Sequence, residues 1–221
     1  MAVDPFDTPI FVTVRDRVTD LRLLVEWLEN AGYQRPILVD NHSSYPPLLE
    51  YLEASPHQVI RLPSNFGSRA LWHARLVPSE PFVLTDPDIV PTEDTPADCV
   101  AHLHGLLQRF WLPKVGLGLV HDEPAPMMDV PQELLQGMTI REWETELVHP
   151  RRALAKNCFD SLIDTTFALY RANSEWDFHA IRCGPPWQAR HLPWYRTELD
   201  EEHAYYLQHA EVGPEGTTWT P

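Results

Sequence analysis

The sequence has few of the features that mark three common classes of protein. Its three cysteines are widely spaced, odd in number and without a Cys-x-x-Cys pair, which argues against a disulfide framework and a zinc knuckle. No apolar run approaches the roughly 18 residues that a membrane helix needs, and no basic segment followed by an apolar stretch stands at the N-terminus. We therefore expect buried, unpaired cysteines and a cytoplasmic protein without integral membrane contact.

Basic residues are scarce as well. Lys and Arg together number 17, against 32 Asp and Glu, so the formal net charge is −15. A surface of this sign repels the phosphates of nucleic acids and anionic lipids. We expect no nucleic-acid partner.

The chain does contain enough apolar material for a full-sized domain, since 43% of its 221 residues are hydrophobic. Its first half alternates short apolar strands with segments of helical periodicity. Strands are predicted at 9–14, 36–40, 58–62, 81–85 and 115–120. Helices are predicted at 20–31, with Thr19 as its cap and Gly32 at its end, at 46–54, at 68–76, and at 96–110, with Thr95 as its cap. This alternation predicts an α/β fold, in which helices cover both faces of a mostly parallel sheet.

The second half of the chain is less regular. A Pro- and Met-rich loop is predicted at 122–138, followed by helices at 140–148 and 200–209 and a strand at 178–182. We treat 1–221 as a single domain with a first half at 9–120, a second half at 121–210 and a mobile tail at 211–221.

The segment PFVLTDPDIVP carries the strongest chemical signal, because Asp86 and Asp88 follow an apolar strand directly. Two carboxylates spaced in this way are suited to a hard divalent cation that keeps open positions for phosphate oxygens. The alternative, in which the two aspartates bind nothing, is a solvent-exposed acidic turn. We predict a site for Mn²⁺ or Mg²⁺ and a diphosphate.

The ends of the other predicted strands are expected beside this pair, because ligands of open α/β sheets bind beyond the carboxyl ends of the strands. Asp40 is suited to accept hydrogen bonds from a base or ribose, Gly67 to let the backbone approach a ligand, and Arg69 to bind phosphate. The predicted nucleotide-binding set is Val14, Arg15, Arg17, Asp40, Asn41, Asn65, Gly67, Arg69 and Asp86.

Four segments in this order, IFVTVRDR, VDNHS, PSNFG and TDPD, resemble the nucleotide-binding half of the A-type, Rossmann-like glycosyltransferase fold, closest to family 2 and related inverting enzymes. The resemblance covers residues 9–120. It implies that Asp86 and Asp88 form a DxD motif, which binds the metal together with the diphosphate of a UDP, GDP or dTDP sugar. The remaining residues, 121–210, would form the acceptor-side half.

Two later segments fit the same resemblance. By it, Asp164 in LIDTTF is the general base that deprotonates an acceptor hydroxyl, although Ile163 stands where the family usually has Glu. Its plainer role would be to cap a helix. His191 in QARHLPWY matches a late histidine that returns to the metal, and Asp122, after the fifth strand, is the reserve base.

The resemblance thus implies a metal-dependent glycosyltransferase, inverting by analogy, that acts on the hydroxyl of a saccharide, a small metabolite or a side chain. Because Asp86 and Asp88 are expected at a ligand-facing tip, Asp88→Asn should abolish turnover without unfolding the protein. Two alternatives stay open: a haloacid dehalogenase-like phosphatase with Asp86 as nucleophile, and a catalytically degenerate protein that binds sugar nucleotides. No Gly-rich loop follows the first strand, which argues against a sugar nucleotidylyltransferase.

Overall fold

A computed structural model describes residues 4–123, 127, 135 and 137–209 of the chain. Twelve strands lie in this part: β1 Ile10–Val14, β2 Pro36–Asp40, β3 Gln58–Arg61, β4 Phe82–Thr85, β5 Ile89–Pro91, β6 Lys114–Gly116, β7 Gly118–Leu119, β8 Ala153–Ala155, β9 Cys158–Leu162, β10 Ala168–Tyr170, β11 His179–Cys183 and β12 Gln188–His191. The α-helices described are α1 Thr19–Ala31, α2 Pro46–Ala54, α3 Ala70–His73, α4 Cys99–Arg109, α5 Ile140–Leu147 and α6 Glu201–His209.

Nine strands form one large sheet in the order β3-β2-β1-β4-β10-β6-β11-β9-β8. The first four are parallel, whereas β10 runs antiparallel to both of its neighbours and β9 runs antiparallel to β11 and β8. The sheet is therefore mixed, and the prediction of a mostly parallel sheet is wrong beyond β4. The physical reason is that the chain returns from its second half and inserts β10 between β4 and β6.

Both faces of the sheet are covered. Ile10, Val12 and Val14 of β1 pack into a hydrophobic cluster with α1, α2 and α4, and Phe11 packs into a second cluster that includes α3. This alternation follows from the two-residue period of a strand. The predicted α/β architecture with helices on both faces is confirmed.

Three further strands form a small second sheet in the order β5-β12-β7. The predicted strand 115–120 is in fact split between the two sheets, because β6 joins the large sheet and β7 pairs with β12. Gly118 stands at the start of β7, where a Cβ atom would come within 2.1 Å of the Cys183 carbonyl oxygen, so only glycine fits there. The small sheet places β12 beside the segment that follows β4.

Helix ends also differ from the predicted caps. Gly32 ends α1 in the left-handed conformation, with φ at 92°, as the sequence indicates. The hydroxyl of Thr19, by contrast, does not cap α1; the carboxylate of Glu202 in α6 accepts hydrogen bonds from the amides of Val18 and Thr19 at 2.8 and 3.0 Å. Helix α6 therefore caps the N-terminus of α1.

The three cysteines are buried and unpaired, as expected. Within the described ranges, no helix combines the length and the apolar character needed to cross a bilayer. The predicted tail 211–221 and most of the predicted loop 122–138 lie outside the described residues.

Candidate active site

The carboxyl ends of β1, β2, β3 and β4 lie along one edge of the sheet, because these strands are parallel and adjacent. Asp86 and Asp88 follow β4 at this edge. Arg15 and Arg17 follow β1, and Asp40 ends β2. This order of strands puts the tips along one edge of the sheet. That they share one crevice stays a prediction, because Asp86 alone of the predicted nucleotide-binding residues lines the cavity described below.

Asp88 forms the centre of a buried charge cluster. Its Oδ2 atom lies 2.5 Å from Nη1 of Arg17 and 3.7 Å from Nε2 of His191, and the residue is only 5% exposed. Burial alone would raise the pKa of Asp88, but His191 and Arg17 outweigh it and hold that pKa well below its usual range. Asp88 is therefore an ionised carboxylate inside the protein, not a side chain at an exposed tip.

Asp86 differs from Asp88 although one residue separates them. Burial and the neighbouring charge of Asp88 raise the pKa of Asp86 well above its usual range, partly offset by a hydrogen bond from the Thr165 hydroxyl to its Oδ2 atom. The Asp86 amide also donates to the Thr165 carbonyl at 3.0 Å. The pair thus holds one negative charge firmly and resists a second.

The small sheet brings His191 to this cluster. His191 in β12 pairs with Ile89 in β5, and the amide of Leu192 donates to the Asp88 carbonyl at 2.9 Å. The ring of Trp194 packs edge-on to the imidazole, with centroids 4.7 Å apart. His191 was singled out in the sequence and does meet Asp88 in the fold.

A divalent cation would find suitable donor types here: the two aspartates and His191. The buried Oδ1 atom of Asp88 has no hydrogen-bond partner in the described part of the chain, so one ligand atom is uncommitted. The described residues do not, as they stand, gather three His, Cys, Asp or Glu side chains closely enough to hold an ion. Arg17 already contacts the Oδ2 atom of Asp88. The two aspartates and His191 therefore fit a cation only if this oxygen binds the cation as well as Arg17, or gives up its contact with Arg17.

The predicted nucleotide residues fall into two groups. Asn41 donates to Asn65 Oδ1 at 2.9 Å and to the Gly67 carbonyl at 3.2 Å, which ties the loops after β2 and β3 together. Gly67 adopts φ of 68° with open space around its Cα. Asp40 is buried and accepts from the Ser43 amide. These residues shape the loops at the edge of the sheet.

Helix α6 covers the β1 side of this edge. The Arg17 guanidinium stacks on the ring of Tyr206 at 4.3 Å, and Arg15 donates to the His209 carbonyl at 3.2 Å. Val14 is buried in β1. Asp16, which was not among the predicted site residues, is buried with φ of 50° and accepts from the amides of Ser44 and Tyr45. In the sequence, the only indication of a role for Asp16 was its position two residues after the end of the first strand.

Asp164 lies in the turn between β9 and β10, and no helix begins there, so the helix-cap alternative is wrong. Burial raises the pKa of Asp164, opposed by Lys114 and Arg69. Lys114 is fully buried, donates to the Asp164 carbonyl at 3.1 Å and to the Tyr170 hydroxyl at 2.9 Å, and has its pKa lowered by burial to about 7. The sequence analysis missed this lysine because a single Lys in an apolar strand has no distinguishing pattern.

Asp86, Asp164 and His191 all line one cavity of about 430 Å³. Asp164 therefore shares a cavity with the motif after β4, as the resemblance implied. Asp122 is exposed and is not among the lining residues.

The sequence matches no protein-family model and no curated protein. Solved structures do match, among them TarS residues 1–349 from S. aureus, at 12% identity and a TM-score of 0.42. The match covers 75% of this chain and 47% of that one, so the chain spans about half the length of the TarS structure. A similarity at this level carries no argument about activity.

Proposed function

We propose that this chain transfers a sugar from a nucleotide diphosphate donor to a hydroxyl acceptor, with Asp164 as the general base. The observation that carries the proposal is the shared cavity, where Asp86 and His191 border the same space as Asp164. A transferase needs its leaving-group site and its base on opposite sides of one reacting carbon, and this arrangement supplies candidates for both.

The proposed reaction is a single displacement at the anomeric carbon. Asp164 accepts the proton of the acceptor hydroxyl while the acceptor oxygen forms a bond to that carbon. The bond from the carbon to the diphosphate oxygen breaks, and the diphosphate leaves with the electron pair. The raised pKa of Asp164 suits this role, because a base titrating nearer to neutral pH accepts the proton more readily.

Asp86, Asp88 and His191 are the residues that would hold Mn²⁺ or Mg²⁺. When bound, the cation would neutralise charge on the departing diphosphate. Arg17 is the protein's own cation at this point, since it lies 2.5 Å from Asp88. In the proposal Arg17 also offsets part of the negative charge of the diphosphate.

The position of the motif along the chain weighs against a phosphatase. Haloacid dehalogenase-like phosphatases usually carry their nucleophilic Asp after the first strand, whereas Asp86 follows β4, after three strand-helix units.

The test is turnover of UDP, GDP and dTDP sugars with Mn²⁺ and a panel of hydroxyl acceptors, followed by release of nucleoside diphosphate. The proposal expects acceptor-dependent release from at least one donor. Phosphate release from a generic phosphate ester would support the phosphatase instead, and donor binding without turnover on any acceptor would support a degenerate binding protein.

A further inference from the structure

The cavity beside Asp164 has mostly apolar walls. Nine of its sixteen described lining residues are aliphatic or aromatic. They come from α5, the end of β9, the segments around β5, β7 and β12, the residue before β11 and Leu135. The carboxylates of Asp86 and Asp164 belong to the same lining. Its volume of about 430 Å³ lies within the range of sites for small organic ligands.

The one arginine among the described lining residues is already paired with a carboxylate. Arg182 lies 2.9 Å from Glu144, and both side chains are almost fully buried, at 3% and 4% exposure. Arg182 also donates to the Leu162 carbonyl at 3.1 Å. An anionic acceptor would therefore compete with Glu144 for Arg182, and it would face the acidic side chains of Asp86 and Asp164.

Two large apolar side chains of the lining are exposed to solvent. Phe178 is 45% exposed and Leu162 is 41% exposed, and they are neighbours because the Ile163 amide donates to the Phe178 carbonyl at 2.8 Å. Leu162 also pairs with His179 in the adjacent strand. Exposed apolar side chains that continue an apolar cavity mark a route for an apolar ligand.

On these grounds we propose that the cavity binds the acceptor, and that the acceptor is an uncharged compound with an aromatic or aliphatic body and one reactive hydroxyl. The inference rests on the proposed function and adds the class of acceptor. A saccharide fits less well, because hydroxyls that face the nine apolar lining residues would lose water without gaining a hydrogen-bond partner. The hydroxyl of a phenol or alcohol would instead meet Asp164 while the rest of the molecule contacts the apolar walls.

The experiment titrates the full chain with 2-naphthol, without donor, and compares 2-naphthoate and a methyl glycoside. We expect saturable binding of one naphthol per chain and at least roughly tenfold weaker binding of the other two, because one brings a buried charge and the other unpaired hydroxyls. Phe178→Ala should weaken naphthol binding about fivefold through lost apolar contact. Leu23→Ala is the matched control, since Leu23 is 46% exposed on α1 and outside the cavity.

Equal binding of naphthol to Phe178→Ala and wild type, or preference for the glycoside, would overturn the inference. A separate titration with nucleotide sugar and Mn²⁺ keeps the two proposals apart. Donor binding and turnover onto the glycoside but not onto naphthol would overturn the acceptor class alone. Naphthol binding without any binding of nucleotide sugar would overturn the proposed function, and the acceptor role with it.

Discussion

Replacing Asp86 and Asp88 separately by asparagine should affect stability very differently, although the two residues are almost adjacent. Asp88 is ionised and buried against Arg17, so Asp88→Asn leaves a buried guanidinium without its carboxylate. Breaking a buried pair in this way costs about 3–5 kcal/mol of the free energy of unfolding. This is a large part of the 5–15 kcal/mol typical of a domain, so the expectation that Asp88→Asn leaves stability intact needs correction.

Asp86→Asn should lower the free energy of unfolding far less than Asp88→Asn, because asparagine resembles the protonated carboxyl that burial and Asp88 favour. The sign of the pH dependence follows from the same shift. The folded protein keeps a proton on Asp86 that the unfolded chain releases, so wild type loses stability as pH rises from the usual aspartate range through the folded pKa. Asp86→Asn should not show that loss, and its stability relative to wild type should rise with pH.

Urea unfolding of both variants, with the exposed Asp94→Asn as control, measures these effects. The midpoint of Asp88→Asn should fall by about 1–2 M urea, and the midpoints of the other two should change little. Equal losses for Asp86→Asn and Asp88→Asn, or a larger loss for Asp86→Asn, would refute the assignment of one ionised and one protonated carboxyl.

Three further outcomes follow from contacts around this site. Glu202→Ala should lower the free energy of unfolding by roughly 2–4 kcal/mol in urea titrations, because two amides at the start of α1 lose a charged acceptor. Glu201→Ala, at the exposed neighbouring position, should change that free energy by less than about 0.5 kcal/mol. Equal effects of the two substitutions would contradict the capping of α1 by Glu202. Lys114 titrates at a lowered pKa of about 7, so wild type should gain stability, by at most about 1.4 kcal/mol per pH unit, as pH rises from 7 toward 10. Lys114→Met should lack this gain. Parallel pH profiles of stability for Lys114→Met and wild type would contradict the lowered pKa of Lys114. Under the proposed function, Asp164→Asn should lower kcat at least roughly 100-fold, whereas Asp122→Asn should lower it less than about twofold. A large loss for Asp122→Asn with a small loss for Asp164→Asn would instead identify Asp122 as the base.

The first four strands could be predicted because each carries its own signal. β1, β2 and β4 are short apolar runs, and α2 matches its predicted bounds, 46–54, as its pattern of leucines indicates. Two parallel strands and the helix between them form a local unit, so their edge of the sheet, with Asp86 and Asp88, follows from sequence order.

The rest depends on contacts between distant parts of the chain, for which a single sequence carries no local signal. The β10 strand lies between β4 and β6 in the sheet, although it follows both of them in sequence. Glu202 caps α1 from 183 residues away. The meeting of His191 and Asp88 was suggested by family resemblance, whereas the role of Arg17 as the partner of Asp88 required the structure.

The most direct test of the central claim is calorimetric titration of the protein with a nucleotide diphosphate sugar, in Mn²⁺ and again in EDTA. We predict saturable binding in Mn²⁺ and a loss of at least roughly 100-fold in affinity in EDTA, because the ionised Asp88 and the diphosphate are both negative and the cation would offset their charge. Equal affinity in the two solutions would contradict it, and would leave Arg17 as the cation that receives the diphosphate.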